Sequence, residues 1–349
     1  MHVATLAARQ AASDHDVVVV SGKGASAPSP SYRVMPHTPH SLAALGLVDV
    51  VHVHVSLWSP RPLRMLVQCV RTRTPVVVTM HSLCGRYTPL FAILNWIVGW
   101  SRWPVAFTAV SDVAADPLRA IVGHDAEVSV LPNGIDVEQW RARTTRQPGD
   151  EVVVVAVARM AWRKRPFALL NALRQARRMV PPDVRIRAVI AGDGRYRWVV
   201  AAWNKLQRTS DWVQLPGRLT HSEIRTLYGG ADFFVAPARL ESFGIAALEA
   251  RCAGLPIVAL AGTGIQAFVR DGHDGLIAED DRDLGTAIAR LVRGDAARTM
   301  MAACAIECVA PFSWEVVLKQ TDEEYKRAQR LCAGISTLDS TIEGFVRNA

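Results

Sequence analysis

Short apolar, β-branched runs alternate along this chain with segments of helical spacing. VVVV (17–20), VVHVHV (50–55), PVVVTM (75–80) and FTAV (107–110) read as buried strands in its first part. VVVVAVA (152–158), IRAVIAG (186–192), DWVQL (211–215), DFFVA (232–236) and PIVAL (256–260) continue the series. Between them, Phe167–Val180 and His221–Tyr228 repeat apolar residues at helical intervals. Residues 1–12 also read as a helix, with Val3, Leu6 and Ala7 on one face. Strands alternating with helices predict an α/β protein built on doubly wound, Rossmann-like parallel sheets, helices covering both faces.

At 349 residues the chain is long enough for two such domains. The polar, turn-rich stretch RARTTRQPGDE (141–151), just after Pro132-Asn133-Gly134, marks the boundary. The expected N-terminal domain is 1–140 and the second domain 150–310. A last helix, 312–330, follows Pro311, and 333–349 is a small, polar tail. Ligands are then expected at the carboxyl ends of strands, in a cleft between the domains.

Charge narrows the function classes. Forty Lys and Arg against 32 Asp and Glu leave a net +8, spread along the chain with a denser cluster at Arg159, Arg163, Lys164 and Arg165. Diffuse basicity suits anionic ligands or an anionic membrane surface rather than nucleic acid. Six cysteines without a Cys-x-x-Cys pair argue against a zinc site and for a reducing compartment. No signal peptide is visible, and the apolar run from Tyr87 to Ser101 is too short to span a bilayer.

The richest segment for chemistry is ARLESFGIAALEARCAGLPIVAL (238–260). Glu241 and Glu249 bracket Ser242, Phe243, Gly244 and Ile245, where a turn meets the start of a helix. Backbone amides there form an anion site, and carboxylates accept hydrogen bonds from sugar hydroxyls. Arg159 and Lys164 follow the strand at 152–158, where they could neutralise a diphosphate; a solvated basic loop is the plainer alternative. Gly192-Asp193-Gly194 ends the next strand and permits close backbone approach to a ligand, or is simply a turn. His81 ends PVVVTM and could meet a substrate hydroxyl or developing charge, although such a histidine is commonly structural. His52 and His54 share one strand face and read as structural or cleft-lining. Leu83 to Trp103, rich in Leu, Ile, Phe and Trp, reads as a core helix, with a membrane-touching patch as the alternative.

Taken in order, VTMHS (78–82), PNGID (132–136), Arg159 with Lys164, AGDG (191–194) and Glu-x7-Glu around Ser-Phe-Gly resemble the retaining glycosyltransferases of family 4. The resemblance runs from residue 1 to about 328. It implies the GT-B fold, with the last helix crossing back onto the N-terminal domain. It also implies transfer of a sugar, with retained anomeric configuration, from a UDP- or GDP-sugar to a glycan or lipid-linked acceptor. No cofactor or metal is implied. Arg159 and Lys164 would grip the diphosphate, Glu249 the ribose, and Glu241 with the amides of Phe243 and Gly244 the transferred sugar. Ser242, Ile245, Gly192 and Asp193 would complete the donor site, Gly217 and Arg218 would border the base, and His81 would contact the sugar near its reacting carbon. Members usually open with a strand and a Gly-rich loop, which this chain lacks; an upstream start is the resulting expectation. The expected location is the cytoplasm, at the inner face of the plasma membrane, with peripheral membrane contact. A non-catalytic nucleotide-binding or scaffold member and a nucleotide-sugar 2-epimerase are the alternatives.

Overall fold

A computed structural model of the chain describes residues 2–21, 31–38, 47–56, 60–83, 85–141, 151–307 and 309–334. The chain divides into two compact units, Met1–Gly134 with Trp314–Ala349, and Ile135–Ser313. The division thus falls at Gly134, ahead of the polar stretch at 141–151, of which 142–150 lie outside the described residues. Trp140 explains the earlier boundary: it is buried in the second unit, its ring 5.9 Å from that of Tyr228.

The first unit opens with helix α1 (His2–Ala11), strands β1 (Val18–Ser21) and β2 (Arg33–Pro36), and β3 (Val51–Val55). Helix α2 (Pro60–Arg71), β4 (Val76–Met80), α3 (Thr88–Val98), β5 (Val105–Ala109), α4 (Asp112–Val122) and β6 (Val128–Val130) follow. Strands β3-β4-β5-β6 form one parallel sheet in that order. Among the described residues, strands β1 and β2 pair with each other in a separate two-stranded sheet, and β1 is half-buried rather than fully buried.

The second unit begins with α5 (Val137–Trp140) and β7 (Glu151–Val157). It continues through α6 (Pro166–Met179), β8 (Arg185–Ala191), α7 (Arg197–Leu206), β9 (Val213–Gly217), α8 (His221–Gly229) and β10 (Phe233–Ala236). Helix α9 (Ile245–Cys252), β11 (Ile257–Leu260), β12 (Gly275–Ala278), α10 (Asp281–Arg293) and α11 (Asp295–Glu307) complete it. Its six strands are ordered β12-β11-β10-β7-β8-β9, all parallel. The order reverses between β7 and β10, which opens a crevice at the carboxyl ends of those strands. Valines of β7 and the leucines of α6 build the core beneath it.

Helix α12 (Trp314–Ala333) returns to the first unit. Ala328 and Tyr325 pack on Val77 and Ala106 of the sheet, and Arg327 donates to the Phe107 carbonyl at 2.8 Å. Each run read above as a strand is one here, displaced by one or two residues at its ends. Strands β2 (RVMP), β6 (VSV) and β12 (GLIA) carry at most three consecutive apolar residues and did not stand out from their surroundings.

Candidate donor site

The crevice of the second unit holds a cavity of about 710 Å³. Its walls come from the ends of β7, β8 and β10 and from the start of α9, so residues far apart in sequence meet there. Arg159, Lys164, Gly192, Asp193, Arg218, Glu241, Gly244 and Ile245 all line it. The volume lies in the range that small-molecule and cofactor sites occupy.

Lys164 and Glu241 touch. The Lys164 ammonium donates to Glu241 Oε2 at 2.5 Å, and both side chains are largely withdrawn from solvent. Arg165 stands behind them with a different task. Its guanidinium holds both oxygens of Asp281 at 2.8 and 2.5 Å and donates to the Pro237 carbonyl at 3.1 Å. Those hydrogen bonds keep the Asp281 carboxyl below the usual carboxylate range. The basic cluster seen in sequence thus splits: Arg159 and Lys164 face the cavity, while Arg165 ties α6 to the loop that carries Glu241.

Two glycines explain the close walls. A Cβ on Gly192 would lie 1.8 Å from the Ala158 carbonyl oxygen, so only glycine lets the ends of β7 and β8 approach this closely. Gly244 caps α9 at φ +91°, and a Cβ there would meet Ile265 Cγ1 at 2.5 Å. The first turn of α9 carries no acidic residue, and Gly244, Ile245, Ala246 and Ala247 turn toward the cavity. The positive end of the helix dipole is therefore free to face an anion.

Four expected donor residues, Ser242, Phe243, Gly217 and Glu249, are not among those that line the cavity. Phe243 is buried against Phe268 and Phe312, with ring centroids at 5.6 and 6.0 Å, and anchors the turn. Ser242 and Gly217 are adjacent to lining residues, and Arg197 packs on the open face of Gly217. Glu249 lies deeper on α9, where burial pushes its carboxyl up to about 8. Tyr228 steadies the same helix by donating to the Ala246 carbonyl at 3.1 Å. Sequence reasoning missed Gly264, which comes within reach of the same turn: its N–H donates to the Glu241 carbonyl at 2.8 Å, and a Cβ there would sit 2.0 Å from the Ser242 carbonyl oxygen. The pair Gly262-Thr-Gly264, directly after β11, was the available signal.

His81 belongs to the first unit, just past β4, and joins a cluster of four histidines. His54 Nδ1 and His81 Nε2 are 2.9 Å apart, the rings of His52 and His54 stack at 4.1 Å, and the His2 ring lies 5.8 Å from that of His81. A directional chain links the cluster to neighbouring elements. Gln10 donates to Tyr325 at 2.8 Å, Tyr325 meets His52 Nδ1 at 3.1 Å, and His52 Nε2 meets Thr79 at 2.6 Å. Burial lowers His52 and His2 to about 3 and His81 to about 4, so the cluster is neutral near pH 7. His52 is thus tied to Tyr325 and Thr79, and His54 to His81. Among the described residues no group of His, Cys, Asp and Glu has the arrangement of a metal site.

The segment expected to be a core helix is reversed. Trp103 is buried and Trp100 packs on Phe107 at 5.6 Å, but α3 turns Leu90, Ile93, Leu94, Trp96 and Ile97 outward. The reason is Asn95, which points inward and binds Ser101 and the Ile121 carbonyl. Cys84 and Cys308 lie outside the described residues. No described helix is long and apolar enough to cross a membrane.

A parallel sheet with a glycine-lined crevice at its strand ends and helices between its strands defines the class as doubly wound α/β. Profile comparison then specifies it: residues 1–139 match Glycosyltransferase Family 4, and residues 136–307 match Glycosyl transferases group 1. The chain belongs to this glycosyltransferase family. It is 32% identical over 315 residues to the D-inositol 3-phosphate glycosyltransferase of Mycobacterium bovis (strain BCG / Pasteur 1173P2), a match covering 81% of this chain and 62% of that protein. It is 28% identical over 299 residues to the glycogen synthase of Mycobacterium tuberculosis (strain CDC 1551 / Oshkosh), covering 81% and 69%. Among solved structures, HepE of Anabaena with UDP and glucose superposes with a TM-score of 0.74 over 93% of this chain and 95% of HepE, at 16% identity. Sucrose-phosphate synthase of Thermosynechococcus elongatus gives 0.75 over 93% and 92%, at 20% identity. The fold is GT-B.

Proposed function

We propose that this protein is a retaining, metal-independent glycosyltransferase, moving a sugar from a UDP- or GDP-sugar to an acceptor hydroxyl in lipid-linked glycan, polysaccharide or glycolipid synthesis. One observation carries the donor assignment: a single cavity places Arg159, the Lys164–Glu241 pair and the open N-terminus of α9 around one space. Three sources of positive potential converge there, which suits a diphosphate. That the neighbouring HepE structures hold UDP and UDP-glucose supports the same reading.

The proposed chemistry uses these groups in turn. Donor binding replaces the Lys164–Glu241 contact: the ammonium moves to the diphosphate and Glu241 is released to accept sugar hydroxyls. As the bond from the sugar's anomeric carbon to the diphosphate breaks, the acceptor oxygen bonds to that carbon, its proton passes to the departing diphosphate oxygen, and negative charge grows on that oxygen. Arg159, Lys164 and the amides of α9 meet that charge without reorganising. For Glu249, which does not line the cavity, and for His81, which belongs to the first unit, the ribose and sugar roles rest on the family resemblance alone. Mass-spectrometric product analysis with a panel of nucleotide sugars tests the proposal. Lys164→Ala and Glu241→Ala should each lower turnover by about 100-fold or more. Undiminished transfer in both variants would overturn these roles, and conversion of the donor alone would favour an epimerase.

A further inference from the structure

Arg165 follows Lys164 directly, in a conformation that is costly for an arginine. Its φ and ψ are +53° and +48°, in the left-handed region that favours glycine. Among the described residues four non-glycines have positive φ, and of these Arg165 alone neighbours a residue that lines the donor cavity. A glycine would hold this turn with less strain, so the strain is offset by what the arginine side chain binds.

The guanidinium grips both Asp281 oxygens, at 2.8 and 2.5 Å, and donates to the Pro237 carbonyl at 3.1 Å. Such a bidentate pair fixes direction as well as distance. Asp281 is the first residue of α10, a helix anchored by Leu284, Ile288 and Leu291, all fully buried. Pro237 lines the cavity at the start of the loop that leads from β10 to Glu241. Arg239, in that same loop, reaches Asp281 at 3.2 Å. One carboxylate on a packed helix therefore ties down both the loop after β7 and the loop after β10.

These bonds count most when the site is filled. In the empty cavity the two loops are also joined through the Lys164–Glu241 bond. In the function proposed above, the diphosphate draws the ammonium away and that link is lost. Arg165 does not line the cavity, so its bonds can persist through the exchange. Lys164 presents a point charge on a flexible stem, and its aim then depends on where its backbone is held.

We infer that Arg165 and Asp281 are positioning residues for the donor diphosphate, holding the backbone that aims Lys164 once Glu241 has released it. This rests on the donor assignment above, and the experiment keeps the two apart. Arg165→Gly removes the guanidinium and suits the left-handed backbone, so the fold is retained. NMR titration, which reaches millimolar dissociation constants, gives the affinity for UDP, or for GDP where the parent chain prefers it. It is applied to the parent, Arg165→Gly, Lys164→Ala and the double variant. Arg165→Gly should weaken binding about tenfold in the parent and less than about twofold in the Lys164→Ala chain, with the urea midpoint unchanged. Asp281→Asn should repeat that pattern. Arg165→Lys should restore binding only in part, because an ammonium cannot make the bidentate pair. Undiminished affinity in Arg165→Gly overturns the inference. So does an equal loss with and without Lys164, which marks a role in the fold alone. A parent that binds neither UDP nor GDP removes the donor assignment, and the positioning role falls with it.

Discussion

Glu249 is buried on α9 and does not line the cavity, so the proposed ribose contact makes a sharp prediction at this one residue. Burial holds its carboxyl near 8, so it keeps its proton near neutral pH while the cavity is empty. Ribose hydroxyls donate to a carboxylate better than to an acid, so binding should expel the proton. UDP affinity should therefore rise by about tenfold between pH 7 and 9, and Glu249→Gln should flatten that dependence; calorimetry in buffers of different ionisation enthalpy checks both. Arg251 and Asp274 carry the opposite lesson. The pair is almost wholly buried, at 1% and 0% exposure, and bonded at 2.8 Å. Arg251 also donates to the Ala305 carbonyl, which ties α9 to α11. Asp274→Ala would strand the guanidinium and should cost about 3–5 kcal/mol, seen as a large fall in melting temperature.

At the scale of elements, the donor cavity depends on how closely β7 and β8 end. Gly192 lies against Ala158, and the Asp193 carbonyl accepts from Met160 N–H at 2.9 Å, which closes the two loops on each other. Gly192→Ala must push those ends apart. It should abolish detectable UDP binding while costing stability by only about 1–3 kcal/mol, since the core valines of β7 lie below the loop. Parallel calorimetry and urea unfolding separate the two effects. Loss of stability with full UDP affinity would show that the close approach does not shape the site.

Across the whole molecule, the two units should respond to pH in opposite directions. The histidines of the first unit have native values below their ordinary 6.5, so the unfolded chain takes up protons that the native state refuses. Their contribution to stability is complete above about 6.5 and is lost as pH falls toward 4. Glu324, raised by burial, works against them but is outnumbered. In the second unit Glu249 is raised, so the native state holds a proton that the unfolded chain has released. That contribution is present below about 4.5 and is lost as pH rises toward 8. Hydrogen exchange, corrected for intrinsic rates, should show β3 and β4 losing protection between pH 7.5 and 5 while α9 gains it. Equal trends in both units would refute this account.

The strand–helix alternation, the α/β class and the ordered motifs were legible in the sequence because local hydrophobic period and backbone chemistry act over a few residues. Arg159, Lys164, Glu241 and Gly192 could be named that way, since strand ends and glycine turns carry ligand sites in doubly wound sheets. Tertiary structure decided what depends on contacts between distant segments. It paired Lys164 with Glu241, diverted Arg165 to Asp281, and set Phe243 and Glu249 behind the cavity wall. It also turned the apolar face of α3 outward. The periodicity of that helix is identical whether the face looks in or out, and only the partners of Asn95, six and 26 residues away, settle the choice.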